Sequence, residues 1–355
     1  MRILILGDSY FPSDAYRPSF AALASRHEVE FADVTDDLGW VPASASERRL
    51  REVNGNPAQV IAALDHRDVL VMQGAPVTDA VLDASPELRL VCCARGGPVN
   101  VDLEAATARG IPVVTTPGKN ADAVADLTIA FLVMLARRLP EVMRFIESGG
   151  EFGHDNYEGR AWFGHDLADH VLGLVGFGQV GRRVAARARG FGMRVLAHDP
   201  FVAGSALAEA GAEPAEVGAL LAAADFVSLH ARASASDPPL IGRDEIARMK
   251  IGAFLVNTAR AGLVDEAALA DALASGKLAG AAFDLVSPSP ASGRHPLLAF
   301  PNVIITPHIG GSTAETLRHA AGMAAAEIER LIAGEALVNV ANRAGLAART
   351  AGSVA

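Results

Sequence analysis

Cysteine is nearly absent from the chain. Its 355 residues contain two, Cys92 and Cys93, side by side. Adjacent cysteines cannot form an ordinary structural disulfide with each other, so a cystine-stapled scaffold is excluded. Both lie in the apolar run 88–94, where they read as small hydrophobes of a buried strand. Such sparing use points to a reducing, cytoplasmic setting. No Cys/His spacing resembles a zinc site, and no metal is expected. Long hydrophobic runs are missing too. None approaches the ~18–20 residues of a membrane span, and the longest clean run, 129–136, reads as a buried helix. The first run, 3–6, is too short for a signal peptide and leads straight into Gly7-Asp8-Ser9. Positive charge is not in excess either. The net charge of −10 speaks against a sequence-blind phosphate-backbone binder. Neither nucleic acid nor membrane is expected as a partner, while a local basic pocket for a small anion is compatible with this balance. No period of about 20–50 residues marks a solenoid.

What is present is a large core. Apolar residues make up 50% of the chain and charged ones 20%, the composition of a folded protein. At roughly 150 residues per domain, the length suggests about two domains. Both halves alternate short apolar runs with stretches of helical period, which predicts an α/β fold of parallel sheets covered by helices. Strands are expected at 2–6, 28–32, 68–72, 88–93 and 112–115, then at 171–175, 194–197, 226–230, 254–257, 280–283 and 303–306. Helices fit 57–64, 103–109, 179–190, 265–274 and 312–333. A strongly apolar helix, 121–139, lies between the halves. The stretch 149–164 reads as an exposed loop, and the residues after Asn342 as a frayed tail.

The run 171–175 leads into Gly176-Phe177-Gly178-Gln179-Val180-Gly181, a G-x-G-x-x-G turn between a strand and a helix. Alone the hexapeptide is weak; its context makes it a dinucleotide fingerprint. Gly176 permits the tight turn, Gly178 lets backbone approach a pyrophosphate, and Gly181 permits close packing of helix on strand. The helix N-terminus then offers N–H groups and partial positive charge to the phosphates. A second strand ends at His198-Asp199-Pro200, and Asp199 stands 23 residues after Gly176, where an acid meets the adenosine ribose. Asp199 would repel a 2′-phosphate, which favours NAD over NADP. Enough chain precedes this unit for a second α/β domain, and a substrate cleft between the two is the expected arrangement.

Three further segments carry a resemblance. Asn257-Thr258-Ala259-Arg260-Ala261-Gly262-Leu263-Val264-Asp265-Glu266 resembles the arginine signature of the D-isomer-specific 2-hydroxyacid dehydrogenases. Thr306-Pro307-His308-Ile309-Gly310-Gly311-Ser312-Thr313 resembles their histidine signature, and Gly280-Ala281-Ala282-Phe283-Asp284 the strand before the family's catalytic acid. With the glycine turn and Gly97-Pro98-Val99-Asn100-Val101-Asp102, the match keeps one order over roughly residues 70–335. The resemblance implies an NAD-dependent oxidoreductase, phosphoglycerate dehydrogenase-like, interconverting a small D-2-hydroxy acid and its 2-keto acid. The residue types suit that chemistry. Oxidation moves a hydride from C2 while the hydroxyl loses a proton. A histidine, titrating near neutrality, suits His308 to exchange that proton, and the fixed donor fork of Arg260 suits it to hold the carboxylate.

By the same resemblance, backbone N–H groups of Arg95, Gly96 and Gly97 would grip the substrate carboxylate. Pro98 offers none, so the donors are Gly96, Gly97 or Val99. The Arg95 side chain meets either a substrate anion or a neighbouring carboxylate. The cofactor would contact Gly176, Gly178, Gln179, Val180, Gly181, Asp199, His230, Ala231, Thr258, Ala259, Arg260, Asp284, His308 and Gly310. Asp284 would sit at the nicotinamide carboxamide or simply cap a turn. His230 would face the cofactor or be a satisfied structural histidine. Residues 1–120 and 310–342 would form a discontinuous, flavodoxin-like substrate domain, 121–309 the Rossmann domain for NAD, and 343–355 a flexible tail. The helix 121–139 would be the interdomain and dimer element, making a homodimer.

The chain departs from the family pattern once. The family normally carries a glutamate five residues after the Asp284 position; here Ser289 stands there, in Ser287-Pro288-Ser289-Pro290. No acidic residue occurs between Asp284 and Glu315, so the carboxylate is not merely shifted. A glutamate would orient the imidazole and favour its protonated form; a serine only hydrogen-bonds. Two alternatives follow: a dinucleotide-binding regulator with weak or no turnover, and a formate-type dehydrogenase, which needs no general base.

Overall fold

Five strands build the first sheet: β1 Arg2–Gly7, β2 Glu28–Asp33, β3 Val69–Met72, β4 Leu90–Cys93 and β5 Val113–Val114. All pairs are parallel, in the order β2-β1-β3-β4-β5, the flavodoxin-like doubly wound arrangement. The computed structural model describes residues 1–150, 156–232, 237–286 and 295–352. It divides into two units, Met1–Lys119 with Thr313–Ala355, and Asn120–Ser312. In the first unit β3 and β4 are buried at every position, because a parallel sheet carries helices on both faces. The period of two deals the side chains out alternately. Ile3, Ile5, Val71, Leu90 and Cys92 join one core, while Leu4, Leu6, Leu70, Val91 and Cys93 join the other. The adjacent cysteines therefore point into opposite layers.

The chain returns to this unit through the helix Ala314–Ala333, capped by Thr313, whose Oγ1 accepts the Thr316 N–H at 3.1 Å. Its small residues Ala320, Ala321 and Ala324 are buried in the core around Tyr16 and Phe20. Beyond it the expected tail is corrected: Arg343–Gly352 is helical and packs on the helix Leu103–Ala108. The reason is Asn342, which is 7% exposed. Its Oδ1 accepts the Val113 N–H at 3.0 Å, and its Nδ2 donates to Ile111 O at 3.0 Å and to Thr107 Oγ1 at 3.1 Å, which fastens the segment to the sheet edge.

The second unit holds β6 Val171–Val175, β7 Arg194–His198, β8 Glu213–Pro214, β9 Phe226–Leu229, β10 Ala253–Asn257, β11 Leu278–Phe283 and β12 Val303–Ile305. They are all parallel, in the order β12-β11-β10-β9-β6-β7-β8. The winding reverses between β6 and β9, the place where open α/β sheets bind ligands. Strand β8 was not expected; two residues long and ending in proline, it fits only an edge. The apolar helix between the halves ends at Ala136 rather than reaching residue 139. Arg138 takes a left-handed φ of +54°, and a new helix, Leu139–Glu147, begins with Pro140 in its first turn; a proline has no N–H for the carbonyl four residues back and its ring clashes there, so the first helix cannot run through it. Ala121–Ala136 packs on Gln179–Gly190, and Arg187 clips the two with Nε–Asp126 Oδ1 at 2.6 Å and Nη2–Asp122 Oδ1 at 3.0 Å. Of the stretch expected as a loop, Asn156–Trp162 forms 3-10 turns and 151–155 lie outside the described residues. No helix among the described residues is long and apolar enough to cross a membrane.

Candidate active site

The glycine turn sits at the reversal point of the second sheet, and its glycines have different causes. Gly176 has φ +98°, and a Cβ there would lie 2.5 Å from the His230 carbonyl carbon. A Cβ on Gly181 would collide with Gly176 O. Gly178 has an ordinary φ of −75°, and a Cβ on it meets nothing within 4 Å. The fold itself thus requires glycine at 176 and 181 but not at 178. Gly178 is the N-cap of Gln179–Gly190 and supplies no side-chain cap, so the helix's first N–H groups are left for something outside the chain. Open space before an uncapped helix start fits a pyrophosphate. Asp199 braces the turn: its Oδ2 accepts the Phe177 N–H at 2.7 Å and its Oδ1 the Phe201 N–H at 2.9 Å. Gln179, exposed on the first helical turn, holds Arg183 through Oε1 at 2.9 Å, and Val180 beside it is half-buried.

The ends of β9 to β12 continue along the same edge. After β9, His230 is half-buried beside Ala231, and its Nε2 lies 3.0 Å from Ser228 Oγ. Burial pushes this imidazole down to about 4, so it is neutral at physiological pH, a histidine satisfied within its own strand. After β10, Asn257 is fully buried. Its Oδ1 accepts the Ala259 N–H at 3.0 Å and its Nδ2 donates to Arg260 O at 2.8 Å. This clamp fixes the loop from both ends and leaves the Arg260 side chain exposed, with Nη1 on Ala259 O at 2.7 Å. Thr258 Oγ1 is tied to Thr128 Oγ1 at 3.0 Å, on the apolar helix.

After β11 comes Asp284, 2% exposed. Its Oδ1 accepts Thr306 Oγ1 at 2.7 Å and the Ile309 N–H at 2.8 Å; its Oδ2 accepts the Gly310 N–H at 2.8 Å. Its backbone O accepts the His308 N–H at 2.6 Å. Asp284 therefore wraps the turn after β12 and presents His308, which is exposed and held at a left-handed φ of +57°. Of its two sequence readings, turn-capping is what the contacts display. Gly310 is needed for that wrap, since a Cβ there would lie 2.6 Å from Asp284 Oδ2. Ser289 lies outside the described residues.

Arg95, Gly96 and Gly97 belong to the first unit, after β4. The Arg95 fork donates from Nη1 to Glu52 O at 3.0 Å and pairs with the Glu52 carboxylate; it meets a neighbouring carboxylate. Val99 N–H is taken by Gly97 O at 3.0 Å, which narrows the loop donors to Gly96 and Gly97. A Cβ on either glycine meets nothing within 4 Å. Sequence reasoning missed two residues here. Asn257 was legible as a polar residue closing an apolar strand. Lys119, whose Nζ donates to Ala94 O at 2.5 Å, belongs to no motif.

The model of the D-isomer specific 2-hydroxyacid dehydrogenase NAD-binding domain matches residues 129–310, the span that holds this whole edge. The chain belongs to this family, and its cofactor is NAD. Among these dehydrogenases, D-3-phosphoglycerate dehydrogenase of Mycobacterium leprae is 36% identical over 304 residues, 85% of this chain and 56% of that protein. The chain thus spans just over half the length of the phosphoglycerate dehydrogenases it matches. Hydroxypyruvate reductase of Thermotoga maritima is 37% identical over 254 residues, 71% of this chain and 80% of that protein. Among solved structures, the TT0316 protein of Thermus thermophilus is 33% identical with a TM-score of 0.74, covering 96% of this chain and 100% of its own.

Proposed function

We propose that the protein interconverts a small D-2-hydroxy acid and its 2-keto acid, with His308 as the acid/base and Arg260 binding the substrate carboxylate. The observation that carries this reading is the pair of clamps on one sheet edge. Asn257 and Asp284, both buried, hold the loops that present Arg260 and His308, and preorganised loops are what positioned acid–base and anion contacts need. NAD, when bound, supplies or accepts the hydride. In reduction the imidazolium of His308 gives its proton to the C2 oxygen while the guanidinium of Arg260 holds the carboxylate and draws charge from that oxygen. The Gly96 and Gly97 N–H groups contribute to carboxylate binding. The first unit serves the substrate and the second NAD; Asp199, an acid at the end of β7, disfavours the 2′-phosphate of NADP.

The test is NADH oxidation by the purified protein against a panel of 2-keto acids, beside Arg260→Gln and His308→Gln. Turnover of at least one acid, cut by at least ~10²-fold in both variants, is expected. Tight NADH binding with no turnover on any acid sinks the enzymatic reading and leaves the dinucleotide-binding regulator, which the replacement of the usual glutamate by Ser289 favours.

A further inference from the structure

Thr128 lies in the apolar helix Ala121–Ala136 and is fully buried. Its hydroxyl makes two contacts. Val124 O is 2.8 Å away, one helical turn back, and Thr258 Oγ1, just after β10, is 3.0 Å away. Each contact joins two oxygens, so each needs a hydrogen between them. Thr128 has one such hydrogen, and the Val124 carbonyl has none. The Val124 contact therefore takes the Thr128 proton, as a side chain bonding back one turn. The Thr258 contact must then take the Thr258 proton. The reverse direction would leave Thr128 Oγ1 and Val124 O facing each other at 2.8 Å with no hydrogen between them, lone pair against lone pair in a dry place.

This assignment fixes what Thr258 can do. Its one hydrogen points inward to the helix, and among the described residues its hydroxyl has no second partner. Only lone pairs remain, so towards a ligand Thr258 is an acceptor and never a donor. The residue is 8% exposed and stands at the carboxyl edge of the second sheet. It follows β10, on the opposite side of the glycine turn from Asp199, which follows β7. A doubly wound sheet holds one nucleotide of a dinucleotide on each side of that turn, so with Asp199 on the adenosine side, Thr258 is on the nicotinamide side. The acceptor of the Thr128 proton is itself placed by this edge: a Cβ on Gly310, in the turn that carries His308, would lie 3.5 Å from Val124 Cγ2.

We propose that Thr258 binds NAD as a hydrogen-bond acceptor, taking a donor from the nicotinamide riboside half (a carboxamide N–H or a ribose O–H), and that Thr128 is the positioning residue that sets this polarity. The carboxamide oxygen and the phosphates are acceptors, which Thr258 cannot serve while its proton is held by Thr128. The inference needs NAD binding alone, so it stands or falls separately from the acid/base role of His308.

The experiment is a calorimetric titration of NADH beside three reduced analogues. One is the 3-acetylpyridine dinucleotide, in which a methyl replaces the carboxamide nitrogen. The other two lack the 2′- or the 3′-hydroxyl of the nicotinamide ribose. Wild type should bind at least one analogue about 2–10-fold more weakly than NADH, the net worth of one neutral hydrogen bond. In Thr258→Val one of these penalties should vanish, and the analogue concerned identifies the donor. Thr128→Val should shrink the same penalty, because the Thr258 hydrogen, without its acceptor, turns towards the cofactor. Thr128→Ser keeps both contacts and should restore it. A merely structural Thr128 would weaken NADH and every analogue alike and leave the penalty unchanged, which overturns the positioning role. Equal affinity of wild type for all four dinucleotides overturns the whole proposal, and that comparison needs no variant. So does a Thr258→Val protein that keeps every penalty, since another group would then hold the donor.

Discussion

Replacing Asp284 separates a positioning role from a direct one. In Asp284→Ala the buried Gly310 N–H and the Ile309 N–H lose their acceptors. The buried Gly310 donor left unmade costs ~1–3 kcal/mol, and the part-buried Ile309 N–H, which water can reach, adds less, so about 1–4 kcal/mol is expected. At ~3 °C per kcal/mol for a domain of this size, the second unit should melt roughly 3–12 °C lower. Asp284→Asn keeps one oxygen but turns an amide donor towards an N–H, so about 1–3 kcal/mol is expected. With the side-chain wrap gone, only backbone bonds such as His308 N–H to the residue 284 carbonyl oppose relaxation of the His308 turn from its left-handed φ of +57°, a conformation that costs a non-glycine residue ~1–3 kcal/mol. Turnover should fall by ~10²-fold, the low end of what positioned acid–base catalysis contributes. The decisive assay is a double-mutant cycle read by kcat at a temperature where every variant is folded. In a His308→Gln background, Asp284→Ala should cause no further loss, because both act through one group. Full activity in Asp284→Ala, or an undiminished loss in the His308→Gln background, would refute the reasoning.

The glycine turn offers a contrast. Gly178→Ala should fold and melt like wild type yet bind NADH at least tenfold more weakly by fluorescence titration, because a Cβ there meets only open space. Gly181→Ala should lower the melting temperature, since its Cβ collides with Gly176 O. Lys119, pushed down to about 8, faces Arg95, Asp8 and Cys93, whose thiol burial pushes up to about 12 and so keeps neutral; His319 Nδ1 lies 3.3 Å from Lys119 O. As pH rises through about 8 the free protein loses this positive charge. Ser289→Glu should extend reduction to higher pH by favouring protonated imidazole; an unchanged pH–rate profile counts against that reading of the position.

Much of the architecture was legible because period and punctuation agree. β6 and the helix Gln179–Gly190 occupy the expected residues, since an apolar run, a glycine turn and an amphipathic stretch each mark a boundary. β8 left no mark, being two residues held by their neighbour. The helix after Asn342 left none because its anchor is one buried amide joining residues far apart in sequence. The signatures around Arg260 and His308 were legible because their residue types carry chemistry. The clamps were not: whether Asp284 faces a ligand or wraps a turn depends on where three distant donors fold.

The alternation that sends Cys92 and Cys93 into opposite layers of the first sheet turns them into internal probes. Both thiols are buried and shifted upward by that burial, so alkylating reagents should find them inert until the layers above and below separate. The other unit has no cysteine at all. Labelling kinetics in mild denaturant would therefore time the opening of one half of the molecule without any signal from the other.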